Sequence, residues 1–166
     1  MTFSSILLAI TALCNALMAG IFFAFSSSVM PGLKRLSDIE FLKAMQSINR
    51  AIQNPIFFVV FFGALLLLPI CTFLNYEKPL STRFWLLLAA TIIYLAGAFG
   101  ITVLGNIPLN ETLDKIDLLK APAETISMHR INFEERWNNL NTVRTIASAI
   151  SMLLVVIACL NPFKNS

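Results

Sequence analysis

A short polar stretch near the C-terminus, Trp137 to Arg144, holds side-chain types that could bind and activate a small molecule. In a helix, Trp137, Asn141 and Arg144 lie on one face, because residues three and four apart are neighbours. An aromatic plate, an amide and a permanent cation on one stripe can grip a planar ligand that bears oxygen. The alternative is structural: a juxtamembrane arginine that meets lipid headgroups beside an interfacial tryptophan.

Two other polar groups have the composition of a binding site. One is Asn49, Arg50 and Asn54; the other is the segment 106–110, where asparagines flank a proline. Proline lacks a backbone donor and is predicted to break the helix here, so nearby amides and carbonyls need other partners. The membrane orientation predicted from the basic residues places all these groups on one side of the membrane, which favours a shared pocket. The candidate binding residues are Trp137, Asn106, Pro108, Asn110, Asn49, Arg50 and Asn54.

General acid–base chemistry has two candidates besides the pair Asn141 and Arg144, namely His129 and Glu135. A solvated helix face is the alternative interpretation for both. His129 and Glu135 are six residues apart and face different sides of a helix, so the sequence predicts no metal site. A haem protein would need inward-facing axial ligands, commonly His, and the single histidine lies in a predicted loop. We therefore predict no bound metal or cofactor.

The elements that must position these residues follow from the distribution of charge. The 166 residues are 57% hydrophobic and 13% charged, about half the charge of an average soluble domain. Charged side chains are absent from residues 1–33, 51–76, 84–110 and 145–163, and a membrane span needs about 20 apolar residues. The pattern predicts an all-α integral membrane protein, one domain over residues 1–166. Its four-helix transmembrane bundle would span about 3–29, 56–74, 84–105 and 145–160.

The basic residues indicate how the bundle is oriented. Nine lie in the two long loops, after the first and third spans, and three lie on the opposite side. The positive-inside rule therefore predicts cytoplasmic long loops and outside termini. Both loops carry amphipathic juxtamembrane helices, the first with capping-box spacing at Ser37 and Glu40. The three cysteines fall within predicted spans and are interpreted as buried thiols.

The partners implied by these patterns are the lipid bilayer and a lipophilic small molecule. Ala16, Gly20 and Ala24 form a small-residue stripe, and Ala96 with Gly100 a second one, so another helix or a second copy of the chain could pack closely there. A homo-oligomer through these faces is thus one prediction. No basic–aromatic run suggests nucleic acid.

Four ordered motifs resemble a known family. They are Gly20-Ile-Phe-Phe-Ala-Phe-Ser26 with Met30-Pro31, Met45-Gln-Ser-Ile-Asn-Arg50 with Asn54-Pro55, Asn106-Ile-Pro-Leu-Asn110, and the segment from Trp137 to Thr145. Together they are similar to the anthrone oxygenase-like family of small four-helix membrane proteins, many of them bacterial. The resemblance implies a bacterial inner-membrane location. It also implies oxidation of anthrones to anthraquinones without a bound redox cofactor, with O2 as co-substrate.

Two functions from different classes therefore stay open. One is an anthrone oxygenase-like monooxygenase acting on a lipophilic aromatic or polyketide-like substrate. In this hypothesis Arg144, Asn141, Asn106 and Asn110 stabilise an enolate oxygen, Trp137 stacks on the ring, and His129 or Glu135 is the base. The other is a non-catalytic module that binds a lipid or a partner protein through its cytoplasmic-side helices. A carrier is disfavoured because the predicted spans contain no charge.

Overall fold

The computed structural model describes residues 3–77 and 79–161, which form five helices. These are α1 (Phe3–Leu33), α2 (Asp38–Ala51), α3 (Pro55–Leu74), α4 (Thr82–Asp114) and α5 (Ala123–Leu160). Four of them, all except α2, are long and apolar enough to cross a membrane. The chain is an all-α integral membrane protein, as the sequence predicts.

The four long helices alternate in direction and pack around one apolar core. α5 contacts α1 and α4 along much of its length, and α3 packs between α1 and the first part of α4. The buried core includes Met18, Phe22, Leu68, Tyr94 and Val155. Hydrogen bonds join the helices inside it. The Ser151 hydroxyl lies within hydrogen-bond distance of the Asn15 side-chain oxygen and the Ala90 carbonyl, and the hydroxyls of Thr72 and Thr91 are 2.9 Å apart.

The closest helix contact does not lie where the small-residue stripes predict it. A Cβ added to Gly97 would lie 2.5 Å from the Cβ of Ala147, so α4 and α5 touch there. By contrast, a Cβ on Gly20 would have no neighbour within 4 Å, and Ala24 is exposed. Gly20 and Ala24 of the α1 stripe therefore face away from the other described helices. A homo-oligomer through it stays a prediction.

Two helices continue through prolines, α1 through Pro31 and α4 through Pro108, although proline commonly ends or kinks a helix. α1 continues through Pro31 after a π-helical segment, Phe25–Val29, and α4 continues through Pro108 after the π-helical segments Tyr94–Gly100 and Thr102–Asn106. Wider π turns absorb the missing hydrogen bond and redirect the side chains that follow. The predicted break at Pro108 is thus wrong. The third spanning helix reaches Asp114 instead of ending near Gly105.

At one end of the bundle, α2, the end of α4 and the first half of α5 form a cap outside the apolar spans. α5 is one continuous helix of 38 residues, about 57 Å long at 1.5 Å per residue, so it extends well beyond a bilayer. The cap has its own apolar core, made of Met30, Phe41, Leu42, Met45, Leu113, Leu118, Ile126, Phe133 and Trp137. Its cytoplasmic orientation stays a prediction.

Polar contacts fix α2 in this cap. The backbone N–H of Ser37 donates to the carboxylate of Glu40, as the capping-box spacing predicts. The Ser37 hydroxyl also donates to this carboxylate, and the two bonds lower the pKa of Glu40. Gln46 donates from its amide to the carbonyls of Leu113 and Ile116. From α5, Arg130 donates to the carboxylate of Asp38 at 3.0 Å. The α2–α3 junction is thereby held beside the end of α4.

Candidate functional site

A cavity of about 500 Å³ lies where the cap meets the bundle. This volume falls within the range of small-molecule sites. Residues from α1, α2, α3, α4, α5 and the α2–α3 junction line it. They are Ile21, Phe22, Phe25, Asn49, Arg50, Ile52, Gln53, Phe57, Phe58, Phe61, Thr102, Asn106, Ile107, Asn110, Glu111, Asp114, Lys115, Trp137 and Arg144. Six of the candidate site residues named from the sequence are therefore brought together around one space.

The inner wall of the cavity carries a buried cation. Arg144 is only 6% exposed, and its guanidinium carbon lies 4.4 Å from the ring centre of Phe22 and 5.3 Å from that of Trp137. It donates to the side-chain oxygen of Asn141 at 2.6 Å and to the Thr102 hydroxyl at 3.3 Å. In the described part of the chain, no ion pair joins it to a carboxylate. A buried cation without a counterion favours an anionic partner.

Asn141 does not line the cavity, but it holds the guanidinium that does. Its side-chain amide donates to the Phe22 carbonyl at 3.1 Å and to the Ser26 hydroxyl at 2.8 Å, both on α1. The amide oxygen is thereby turned towards Arg144. Because α1 fixes Asn141 and Asn141 fixes Arg144, the charge has a defined position before any ligand binds.

Three buried polar side chains on the cavity wall have unused hydrogen-bonding atoms. Neither the oxygen nor the nitrogen of the Asn106 amide has a partner among the described residues, although Asn106 is only 1% exposed. The side-chain nitrogen of Asn49 and Nε of Arg144 are also without a partner there. A buried polar atom left unpaired costs about 1–3 kcal/mol. The three residues line one cavity, so these unpaired donors and this acceptor lie close to any polar ligand bound there.

Aromatic rings form the rest of the wall. Trp137 donates from its indole N–H to the side-chain oxygen of Asn110 at 3.0 Å, and its ring lies 5.3 Å from that of Phe25. Phe57 and Phe61 of α3 stack with ring centres 5.5 Å apart. The indole is thus held in one orientation by a hydrogen bond that leaves its ring system on the cavity wall. This combination of flat apolar surface and few polar groups suits a planar ligand.

The rim nearest the cap is polar. Arg50 donates from Nε to the carboxylate of Asp114 at 2.7 Å, which joins the end of α2 to the end of α4. Glu111 lines the same region, is exposed, and makes no hydrogen bond or ion pair within the described residues. The sequence did not single out Glu111, Asp114 or Thr102. With the helix unbroken at Pro108, Thr102, Asn106, Asn110 and Asp114 recur every fourth residue and share a face.

Other candidate residues lie away from the cavity. His129 is 15 positions before Arg144 on α5, about 22 Å along the axis at 1.5 Å per residue, and Glu135 is exposed. Asn54 caps α3 by accepting from the Phe57 N–H at 3.0 Å, and Pro108 is exposed on the first turn after a π-helical segment. No group of three His, Cys, Asp or Glu side chains that could hold a metal ion occurs in the described ranges 3–77 and 79–161.

A family model described as anthrone oxygenase matches residues 57–154, more than half of the 166-residue chain. The matched region contains Asn106, Asn110, Trp137 and Arg144, whereas Phe22 and Asn49 precede it. No curated protein and no solved structure gives a significant match.

Proposed function

Because the chain belongs to the anthrone oxygenase family, we propose that it is an oxygenase of a lipophilic, easily deprotonated aromatic compound. The observation that carries the proposal is the buried Arg144, which has no carboxylate partner in the described chain and faces an aromatic-walled cavity together with the unpaired amide of Asn106. A planar ligand with a carbonyl oxygen would supply what both groups lack.

The proposed reaction begins with loss of a proton. A base removes a proton from a CH2 group activated by the ring and a carbonyl, and the carbanion delocalises onto the carbonyl oxygen as an enolate. Arg144 and Asn106 would donate hydrogen bonds to that oxygen, with Trp137 beside the ring. Donors positioned before the charge develops stabilise it without reorganisation, and each typically contributes a factor of about 100–1,000 in rate.

Glu111 is the carboxylate that the geometry favours as the base. It lines the cavity, whereas His129 and Glu135 do not. Its side chain is exposed at the rim and has no competing ion pair among the described residues. A positioned base typically contributes a factor of about 100 to 10,000 in rate.

Oxygen completes the reaction. The enolate passes one electron to O2, and the resulting radical and superoxide combine, forming a C–O bond. Protonation by Glu111 gives a hydroperoxide, which loses the second hydrogen of the original CH2 together with the hydroxyl group. The products are a ketone and one water, so CH2 plus O2 becomes C=O plus H2O. No redox cofactor is required by this balance, since O2 is the oxidant.

The test is oxygen consumption by the purified protein in lipid nanodiscs, with anthrone as substrate and the quinone followed by absorbance. Wild type should consume one O2 per quinone formed, and Arg144→Ala should lose turnover. Arg136→Ala is the matched control, since Arg136 is exposed on the same helix and does not line the cavity. Anthrone bound without oxygen uptake by wild type would instead support the alternative, a non-catalytic binding module.

A further inference from the structure

The rim of the cavity has two chemically different sides. On the cap side stand Arg50, Asp114 and Lys115, and an ion pair joins Arg50 at the end of α2 to Asp114 at the end of α4. On the other side stand Phe58 of α3 and Ile107 of α4, each 40% exposed although each lines the cavity. One side thus presents charge to water, and the other presents hydrocarbon outwards.

The apolar side opens between α3 and α4. The two helices are antiparallel and pack together as far as the segment Tyr94–Gly100, where the rings of Phe61 and Phe99 stack with centres 5.5 Å apart. Beyond that pair, the cavity lies between the start of α3 and the end of α4. The two helices therefore form a cleft, with Phe61 at its narrow end.

This cleft lies at the depth of the lipid chains. α3 has 20 residues, about 30 Å at 1.5 Å per residue, which equals the thickness of the hydrocarbon core. All of α3 is needed to cross it, so Phe58, in the first turn, lies just inside the hydrocarbon edge. The surface beside the cleft is also apolar, since Ile56 and Leu104 are 80% and 83% exposed.

We propose that the ligand is an amphiphilic anion that dissolves in the bilayer and reaches the cavity sideways through the cleft between Phe58 and Ile107. Its apolar body enters the cleft first, and its anionic oxygen binds the guanidinium of Arg144. The ion pair between Arg50 and Asp114 joins α2 to the end of α4 on the cap side. This access route rests on the proposed function only in taking the cavity as the binding site; it holds for a substrate or for a ligand that is merely bound.

Trp137 provides a reporter inside the cavity. The chain has two tryptophans, and the other, Trp85, is exposed near the start of α4, at the opposite end of the bundle. In Trp85→Phe, all tryptophan fluorescence therefore comes from the cavity wall. The probe is 1-pyrenecarboxylate, a planar amphiphilic anion that accepts energy from tryptophan. Its uncharged analogue, 1-pyrenemethanol, partitions into the same phosphatidylcholine vesicles and measures transfer from probe that is only in the lipid.

Binding is measured first. The saturable loss of Trp137 fluorescence with 1-pyrenecarboxylate should be absent with 1-pyrenemethanol and absent in Arg144→Gln. If wild type shows no saturable component, the cavity is not an anion site and the access route is overturned, whereas oxygen consumption with neutral anthrone decides the proposed function separately. If saturable binding is present, the route is tested separately by its rate.

The rate of quenching after rapid mixing distinguishes the two openings. Ile107→Ala and Phe58→Ala widen the apolar cleft from opposite helices, so each should accelerate binding several-fold. Asp114→Asn breaks the ion pair on the cap side and should change the rate less than either. Acceleration by Asp114→Asn, with no effect of the two cleft variants, would overturn the lateral route and leave the binding site intact. Two cleft variants keep the test valid if one fails to fold.

Discussion

The guanidinium of Arg144 donates to the side-chain oxygen of Asn141 at 2.6 Å, one helical turn away on α5. Asn141 in turn donates to two acceptors on α1. A neutral amide, and not a carboxylate, therefore orients the cation. This choice keeps the positive charge of Arg144 uncompensated and available to a ligand.

Asn141→Asp should consequently weaken anion binding. The new carboxylate would form an ion pair with Arg144 and compete with the ligand, so affinity for 1-pyrenecarboxylate should fall at least about tenfold, equivalent to about 1.4 kcal/mol. The carboxylate cannot donate to the Phe22 carbonyl as the amide does, so thermal unfolding in detergent checks that the variant still folds. Asn139→Asp, the same change at an exposed position of α5, should alter neither quantity. Unchanged affinity in Asn141→Asp would contradict the role of Arg144 as the anion site.

Asn106 and Asn15 make a matched pair, since both are buried asparagines but only Asn15 is hydrogen-bonded. Asn106→Leu removes two unpaired polar atoms, so the ligand-free protein should be stabilised by about 1–3 kcal/mol. Asn15→Leu removes the acceptor of Ser151 and should destabilise it by about 1 kcal/mol. Thermal unfolding in detergent, with and without 1-pyrenecarboxylate, measures both. Stabilisation by the ligand should disappear in Asn106→Leu only, and equal destabilisation of the two variants would show that Asn106 is structural.

The contact between Gly97 and Ala147 predicts a sharp steric effect. Gly97→Val places a branched side chain where a single added Cβ would already lie 2.5 Å from that of Ala147. Overpacking of this kind typically costs about 1–3 kcal/mol, so the unfolding temperature in detergent should fall. Gly20→Val, on a helix face with no neighbour within 4 Å, should change it little. Restoration of stability by Ala147→Gly in the Gly97→Val background would assign the effect to this contact.

The sequence predicts the bundle well because a bilayer leaves few alternatives. Charge-free windows of sufficient length must be spanning helices, and a capping box specifies the start of α2. The continuity of α5 follows from an unbroken helical pattern that contains neither glycine nor proline after Pro122 until Pro162. These features depend on local composition, which a single chain displays directly.

The cavity wall is less accessible to sequence reasoning because it depends on helix geometry around Pro108. If the helix is assumed to break at Pro108, the shared helix face of Thr102, Asn106 and Asn110 is not recognised. Glu111 is then not placed beside them. The π-helical turns that carry the helix past proline are set by packing and have no clear sequence signal. The sequence also places the start of the fourth span at residue 145, which favours a headgroup position for Arg144. In the structure α5 is continuous through this position, and Arg144 is buried within the bundle.

The sequence suggests His129 or Glu135 as the general base, whereas the lining of the cavity favours Glu111. Glu111→Gln retains the size and the hydrogen-bonding ability of the side chain but cannot accept a proton, so turnover of anthrone should fall by a factor of about 100 or more. His129→Gln and Glu135→Gln should retain turnover, because neither side chain lines the cavity. Substrate deuterated at the CH2 position adds a second readout. A kinetic isotope effect that rises in Glu111→Gln would place the lost step at proton removal. Full activity of Glu111→Gln, with loss in His129→Gln, would return the role to the histidine and would require the cap to rearrange during turnover.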